Sequence, residues 1–218
     1  MNAMNRRNAI FALLAACVCA SDLAMADGVS PAAQSLARFY DSLNVEQHWI
    51  AGTHVDWTTG DPDGASETLP GRHTHCSAFV AAAAKKLGVY ILRPPEHGQV
   101  LLANAQNEWL AGAGPTSGWR PIPDAVAAQA AANRGLLVVA SYHNHRDNKP
   151  GHIAIVRPSA KSDEAVRREG PDVIQAATQN ASKISLAEGF AGHPHAWEDH
   201  EVQYYAHAIG NEKAMTGM

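Results

Sequence analysis

Residues 76–87 read CSAFVAAAAKKL, a stretch with the composition and the end signals of an α-helix. Alanine is the strongest helix former, two lysines stand in the last turn, and Gly88 follows where helices commonly end. The N-terminal boundary falls at Thr74 or His75, which puts Cys76 in the first turn. There the unpaired backbone N–H groups and the helix dipole favour a thiolate. The helix therefore presents either a reactive nucleophile or a buried structural thiol at its start.

Short β-type runs follow this helix, whereas helical periodicity dominates before and just after it. Besides residues 76–87, the predicted helices are Pro31–Leu43, Val100–Leu110 and Asp124–Asn133. The predicted strands are Gly135–Tyr142, His152–Val156, Val173–Ala177, Ile184–Leu186 and Val202–Ala208. Residues 52–71 are rich in Gly, Asp, Thr and Pro, which predicts a long loop. Helices first and an antiparallel sheet second predict an α+β domain.

Composition sets limits on the class of protein. The chain has 218 residues, of which 46% are hydrophobic and 17% charged, so it is too apolar to be disordered. Lys and Arg number 17 against 21 Asp and Glu, a formal net charge of −4. No basic excess points to nucleic acid or to an anionic membrane surface. We therefore expect one globular domain over residues 27–210, a loose tail over residues 211–218, and no nucleic-acid partner.

Residues 1–26 have the order of regions found in a bacterial export signal. Arg6 and Arg7 precede an apolar run at residues 9–20, and Ala24 to Ala26 supplies the small residues before a cut at Asp27. The apolar run is too short to span a bilayer, so no membrane span is expected. Leu14 to Cys17 also fits a lipoprotein cleavage box, in which Cys17 would carry the lipid. We predict the cut after residue 26 and a secreted or periplasmic mature protein.

The signal boundary changes the meaning of the three cysteines. Cys17 and Cys19 leave with residues 1–26, and Cys76 is then the one thiol of the mature chain. A lone cysteine in an oxidising compartment cannot form an internal disulfide. It is a packed inert residue, an intermolecular link or a nucleophile.

His152 is the best candidate for the base that a nucleophilic thiol needs. It opens a strand directly after the turn at residues 148–151, where a side chain can project from the sheet edge towards a helix, and Gly151 permits close backbone approach. The alternative for His152 is a surface imidazole. Gln175 places a carboxamide inside an apolar strand, and orienting an imidazole is one good reason for a buried amide. Asn180 is the second candidate for that third position.

The order of these motifs resembles the NlpC-type and CHAP cell-wall hydrolases. Residues 76–80 (CSAFV) and 85–89 (KKLGV) resemble their catalytic-cysteine helix. Residues 135–140 (GLLVVA) and 151–156 (GHIAIV) resemble their paired strands, the second of which opens with the catalytic histidine. Residues 173–176 (VIQA) are similar to the next strand, which carries a polar third residue. The similarity runs in order from residue 52 to residue 208.

The resemblance implies a papain-like α+β fold, with the cysteine helix packed on an antiparallel sheet. It also implies a cysteine peptidase or amidase that needs no cofactor and cleaves amide bonds of peptidoglycan, with the stem peptide as its partner. In this role Cys76 attacks the carbonyl, His152 transfers the proton and Gln175 orients the imidazole. Backbone N–H groups at the helix start, that of Cys76 included, would bind the oxyanion.

Five further residues are candidates for binding substrate. The families' upstream tyrosine has no counterpart, and His54, Asp56 and Trp57 are the polar or aromatic residues available in its place. His75 flanks the nucleophile and is a candidate for lining the cleft or, when protonated, for stabilising the thiolate. Asn180 completes the set.

Two other functions remain open. Three His-x-His pairs, at residues 73 and 75, 143 and 145, and 193 and 195, are of a kind that binds zinc, so a zinc-dependent cell-wall hydrolase is the first alternative. A non-catalytic wall-binding module is the second, with tryptophans stacking on sugars. Its candidate tryptophans are Trp49, Trp57, Trp109, Trp119 and Trp197.

Overall fold

The computed structural model describes residues 28–66, 73–193 and 195–210. Its helices are α1 (Pro31–Ser42), α2 (Cys76–Lys86), α3 (Leu102–Gly112), α4 (Ala125–Asn133), α5 (Asp163–Glu169) and α6 (Leu186–Gly189). Local sequence explains where several of them begin. The Ser30 hydroxyl accepts the N–H of Ala33 at the start of α1, and the Asp124 carboxylate accepts that of Ala127 at the start of α4.

Six strands form one antiparallel sheet with the order β1-β6-β2-β3-β4-β5. The strands are β1 (Arg120–Ile122), β2 (Leu137–Tyr142), β3 (His152–Val156), β4 (Asp172–Gln175), β5 (Ala181–Ser185) and β6 (Gln203–His207). Strand β3 lies between β2 and β4, and Tyr142 at the end of β2 is opposite His152 at the start of β3. The expected α+β class is confirmed.

Helices cover both faces of the sheet. In β3, Ile153 and Ile155 pack into a hydrophobic cluster with α1, α2 and α3, which includes Cys76. Ala154 and Val156 pack into a second cluster with α4 and α6. This alternation follows from the two-residue period of a strand, and it places α2 on one face of β3.

Most of the predicted elements are present with small shifts at their ends. Helix α1 begins at the predicted residue, and β3 has the predicted bounds, His152–Val156. The sequence did not predict β1, α5, α6 or the short 3-10 helix at Gly114–Ser117. The described part of the 52–71 stretch is a loop with one isolated bridge, between Val55 and Pro62.

The two predicted terminal segments fall largely outside the described residues. The export signal over residues 1–26, its lipoprotein alternative at Cys17 and the tail over residues 211–218 therefore stay predictions. Within residues 28–66, 73–193 and 195–210, no helix combines the length and the apolar character that crossing a bilayer requires.

Candidate active site

Cys76 begins α2 and is surrounded by hydrogen-bond donors. Its side chain is 4% exposed, and it is a free thiol. The backbone N–H groups of Ile153 and Ser77 donate towards the sulfur, as does the Thr74 hydroxyl. Because Ile153 directly follows His152 in β3, the Cys76 sulfur lies against the first residues of the strand that carries the candidate base.

Burial determines the protonation state of this thiol. Desolvation raises the pKa of Cys76, and the donated hydrogen bonds from Ile153, Ser77 and Thr74 only partly oppose the rise. The expectation that the helix start favours a thiolate is therefore wrong for the resting protein. The helix N-terminus stabilises an anion here, but loss of water around the sulfur has the larger effect and keeps the group as a thiol.

His152 stands at the first position of β3, as predicted, and the glycine before it is required by close packing. A Cβ atom on Gly151 would collide with the carbonyl oxygen of Tyr142 and with the side-chain oxygen of Asn104. Gly151 thus lets the chain enter β3 tightly against the end of β2, which fixes where the His152 backbone begins. The surface-imidazole alternative is wrong, because His152 is 3% exposed.

Gln175, the last residue of β4, binds the His152 ring. Its Oε1 atom is 2.9 Å from Nε2 of His152, and Gln175 is itself 3% exposed. A carboxamide oxygen only accepts, so Nε2 carries the proton and Nδ1 keeps its lone pair. Burial lowers the pKa of His152 to about 4, although the bond to Gln175 acts in the opposite direction. The structure therefore holds a neutral imidazole in one tautomer, with Nδ1 free to accept a proton.

Two aromatic rings that the sequence did not associate with His152 contact it. Phe190 meets it edge-on, with 4.6 Å between ring centroids, and His193 stacks on it at 5.5 Å with an interplanar angle of 22°. Phe190 belongs to the cluster under α4 and α6, so the His152 ring is on the face of the sheet opposite α2. No hydrogen bond between the Cys76 sulfur and the His152 ring is found among the described residues. The two side chains approach the start of β3 from its two sides.

His75 has a supporting position next to Cys76. It is the N-cap residue of α2 and 7% exposed, and its Nε2 atom is 2.8 Å from the carbonyl oxygen of Thr53. Since a carbonyl accepts, the His75 ring donates and ties the 52–54 segment to the helix start. The neighbouring His54 ring is exposed and pairs with the Asp63 carboxylate at 2.8 Å. His75 therefore positions the helix start. His54 directly follows Thr53, the residue that His75 binds, and its own ring pairs with Asp63 instead.

Asp56 and Trp57 lie near the other end of α2. The Asp56 carboxylate accepts the Thr58 hydroxyl and the backbone N–H groups of Thr58 and Thr59, and these hydrogen bonds lower its pKa, with a smaller effect from the Lys85 charge. The Lys85 ammonium is 5.1 Å from the centroid of the Trp57 ring. Lys85 belongs to the last turn of α2, whereas Cys76 begins that helix. The structure therefore does not bring Asp56 and Trp57 to the Cys76 sulfur.

Asn180 has a structural role instead of the third catalytic position. Its Nδ2 group donates to the carbonyl oxygens of Val45, His48 and Trp49, at 2.7, 2.8 and 3.3 Å. These bonds hold the loop after α1 against the turn before β5. Of the two candidates for the residue that orients His152, the structure therefore selects Gln175.

The three His-x-His pairs do not converge. His143 binds Glu108 at 3.0 Å, and His145 lies 3.7 Å from Glu201. His193 faces His152, whereas His195 is exposed. Across the described ranges, no group of three or more His, Cys, Asp or Glu side chains is arranged to hold a metal ion. The donor sets that the zinc alternative requires are thus not assembled in this part of the chain.

The tryptophans are used mainly for packing. Trp49 and Trp119 are fully buried, and their indole N–H groups donate to the carbonyl oxygens of Trp57 and Tyr90. Neither ring can stack on a sugar in this position. The other three are partly buried and pack against the two hydrophobic clusters; they are Trp57, Trp109 and Trp197.

Comparison with known proteins identifies no family. No protein-family model matches the sequence, and no curated protein matches it either. The resemblance to NlpC-type and CHAP hydrolases therefore stays a hypothesis based on the motifs around Cys76, His152 and Gln175. Function has to be argued from the chemistry of those side chains.

Proposed function

We propose that the mature chain is an exported cysteine amidohydrolase of papain-like fold that cleaves amide bonds in the peptide part of bacterial peptidoglycan. The observation that carries this proposal is the arrangement at the start of β3. The backbone N–H of Ile153 lies near the Cys76 sulfur and favours its anionic form, the adjacent His152 is the candidate base, and Gln175 fixes the tautomer of its ring. The export signal predicted at residues 1–26 agrees with a substrate outside the cytoplasm.

The proposed reaction uses each of these groups once in acylation. Cys76 attacks the amide carbonyl while its thiol proton passes to Nδ1 of His152, and the resulting imidazolium keeps its bond to Gln175 through Nε2. Backbone N–H groups at the start of α2, those of Cys76 and Ser77, stabilise the oxyanion. The C–N bond then breaks, His152 returns the proton to the leaving amine, and water hydrolyses the thioester.

In this mechanism the resting protein holds Cys76 as a neutral thiol and His152 as a neutral imidazole. Burial raises the pKa of Cys76 and lowers that of His152, so both effects disfavour separation into thiolate and imidazolium. The two side chains lie on opposite sides of β3 and no hydrogen bond joins them among the described residues, so the His152 ring must turn about the start of the strand towards Cys76 before the proton can transfer. We infer that substrate binding brings about this approach, because apo enzymes often tighten their catalytic contacts only in the complex.

The test is digestion of purified peptidoglycan by the mature protein and by its Cys76→Ala variant. We expect soluble fragments from the first and none from the second, whereas His195→Ala, which changes an exposed histidine, should leave digestion unchanged. Fragments released by Cys76→Ala would contradict a thiol nucleophile. Digestion abolished by EDTA would favour the zinc-dependent alternative, and binding to the polymer without any digestion would favour the wall-binding module.

Mass analysis of the fragments would then define the bond. An N-acetylmuramoyl-L-alanine amidase frees the stem peptide from the sugar, whereas an endopeptidase cuts within the stem. The same side chains serve both reactions, since each attacks an amide carbonyl.

A further inference from the structure

His193 is held against the candidate base by its own loop. Its backbone N–H donates to the carbonyl of Phe190 at 2.8 Å, and its carbonyl accepts the N–H of Ala196 at 3.0 Å. The half-buried ring lies between two neighbours. It stacks on His152 at 5.5 Å, and its centroid is 5.3 Å from that of Tyr142 on β2. His152 is thus enclosed by Gln175 at Nε2, by the edge of Phe190 and by the face of His193.

We propose that His193 is a positioning residue, which fixes the ring plane of His152 and holds that imidazole in its neutral form until substrate binds. This inference rests on the proposed role of His152 as the base. A stacked ring excludes water from the face of His152, and loss of hydration destabilises a cation more than a neutral ring.

The protonation of both rings agrees with this geometry. Burial, together with a smaller effect of the His152 charge, lowers the pKa of His193 to about 4. The other titratable groups near the pair are the Tyr142 phenol, which contacts the His193 ring, and the Cys76 thiol, which lies on the other side of β3. The pKa values of both are raised, in each case mainly by burial, so neither group supplies a charge at neutral pH. Glu201 and Arg146 lie beyond Tyr142 and act on that phenol with opposite signs.

Three variants separate the stacking ring from its charge. His193→Ala removes both, His193→Phe keeps an aromatic ring without the charge, and His195→Ala is the matched control in the same loop. The midpoint of His152 protonation is measured by NMR on histidine-labelled protein, with the His152 signal assigned by its loss in His152→Gln. We expect about 4 in the wild type, a rise towards the ordinary 6.5 in His193→Ala, and values near the wild type in the other two variants.

Two results would overturn the proposal. One is an unchanged His152 midpoint in His193→Ala with the fold intact by circular dichroism. The other is a rise in His193→Phe as large as that in His193→Ala, because it would show that an aromatic ring at this position does not shield His152. Neither measurement needs a substrate, so both are independent of whether the protein cleaves peptidoglycan.

The pH dependence of Cys76 alkylation by iodoacetamide tests the connection to the nucleophile. The rate at neutral pH is divided by the rate at a pH where the thiol is fully ionised, which removes differences in access. His193→Ala should increase this ratio, by at most about tenfold for each pH unit by which the His152 midpoint rises, since the thiolate–imidazolium part of the thiolate population follows that midpoint. A raised midpoint with an unchanged ratio would support the action of His193 on His152 and contradict the proposed pairing of His152 with Cys76.

Discussion

Replacing Gln175 by leucine tests the bond that fixes the tautomer of His152. Leucine has a similar size but accepts no hydrogen bond, so the Nε2–H of a ring that is only 3% exposed loses its acceptor. An unsatisfied buried donor costs about 1–3 kcal/mol. For a protein of this size each kcal/mol corresponds to roughly 2–4 °C in Tm, so we expect a decrease of roughly 2–12 °C. Activity should fall more steeply than stability, because the proton is then free to move to Nδ1, the atom that accepts the Cys76 proton in the proposed mechanism.

The assay for Gln175→Leu is thermal unfolding, combined with the ¹⁵N chemical shifts of the His152 ring, which distinguish the two tautomers. Gln34→Leu is the control, because Gln34 is exposed on α1 and its replacement should change stability by no more than about 0.5 kcal/mol. A Gln175→Leu protein as stable as the wild type, with its proton still on Nε2, would refute the reasoning. In that case the rings of Phe190 and His193 would be sufficient to orient His152 without the carboxamide.

Two further predictions concern stability. The pKa of His152 falls from 6.5 in the unfolded chain to about 4 in the folded protein. Its contribution to the free energy of unfolding is therefore complete above pH 6.5 and is lost as the pH falls towards 4. The loss from this residue is roughly 3 kcal/mol, and urea midpoints measured across that range should decline in the wild type but less in His152→Gln. The free energy of unfolding of Gly151→Ala should be lower by at least about 1–3 kcal/mol, because the added Cβ would collide with the backbone of Tyr142. Equal midpoints for Gly151→Ala and for Gly192→Ala, where a Cβ meets open space, would contradict that packing argument.

The elements that the sequence predicted well are those with strong local signals. Helix α2 has an alanine-rich interior and lysines before a glycine, and β3 follows a turn that contains Pro150 and Gly151. By contrast, α6 has only four residues, and β1 contains Pro121 within three residues. Elements this short carry too little periodicity to stand out from loops, and they depend on packing against the sheet.

The site was predictable where single residues stand out against their surroundings. Gln175 was found because a polar residue interrupts an apolar strand, and the structure shows the carboxamide bound to His152. His193 was considered only as half of a metal-binding pair, since its stacking depends on how the loop after α6 folds back. The protonation of Cys76 was also beyond reach, because burial is a property of the whole fold and outweighs the local effect of the helix start.

The bonds of Asn180 impose an order on the folding of the chain. This one side chain holds three carbonyl groups that lie 131 to 135 residues earlier in the sequence. Contacts of such long range close large loops and are entropically costly to form early, so they are expected late in folding. We therefore expect the loop after α1 to acquire this support after β2, β3 and β4 have come together. A chain truncated before residue 180 would lack these three hydrogen bonds, even though it contains Cys76, His152 and Gln175.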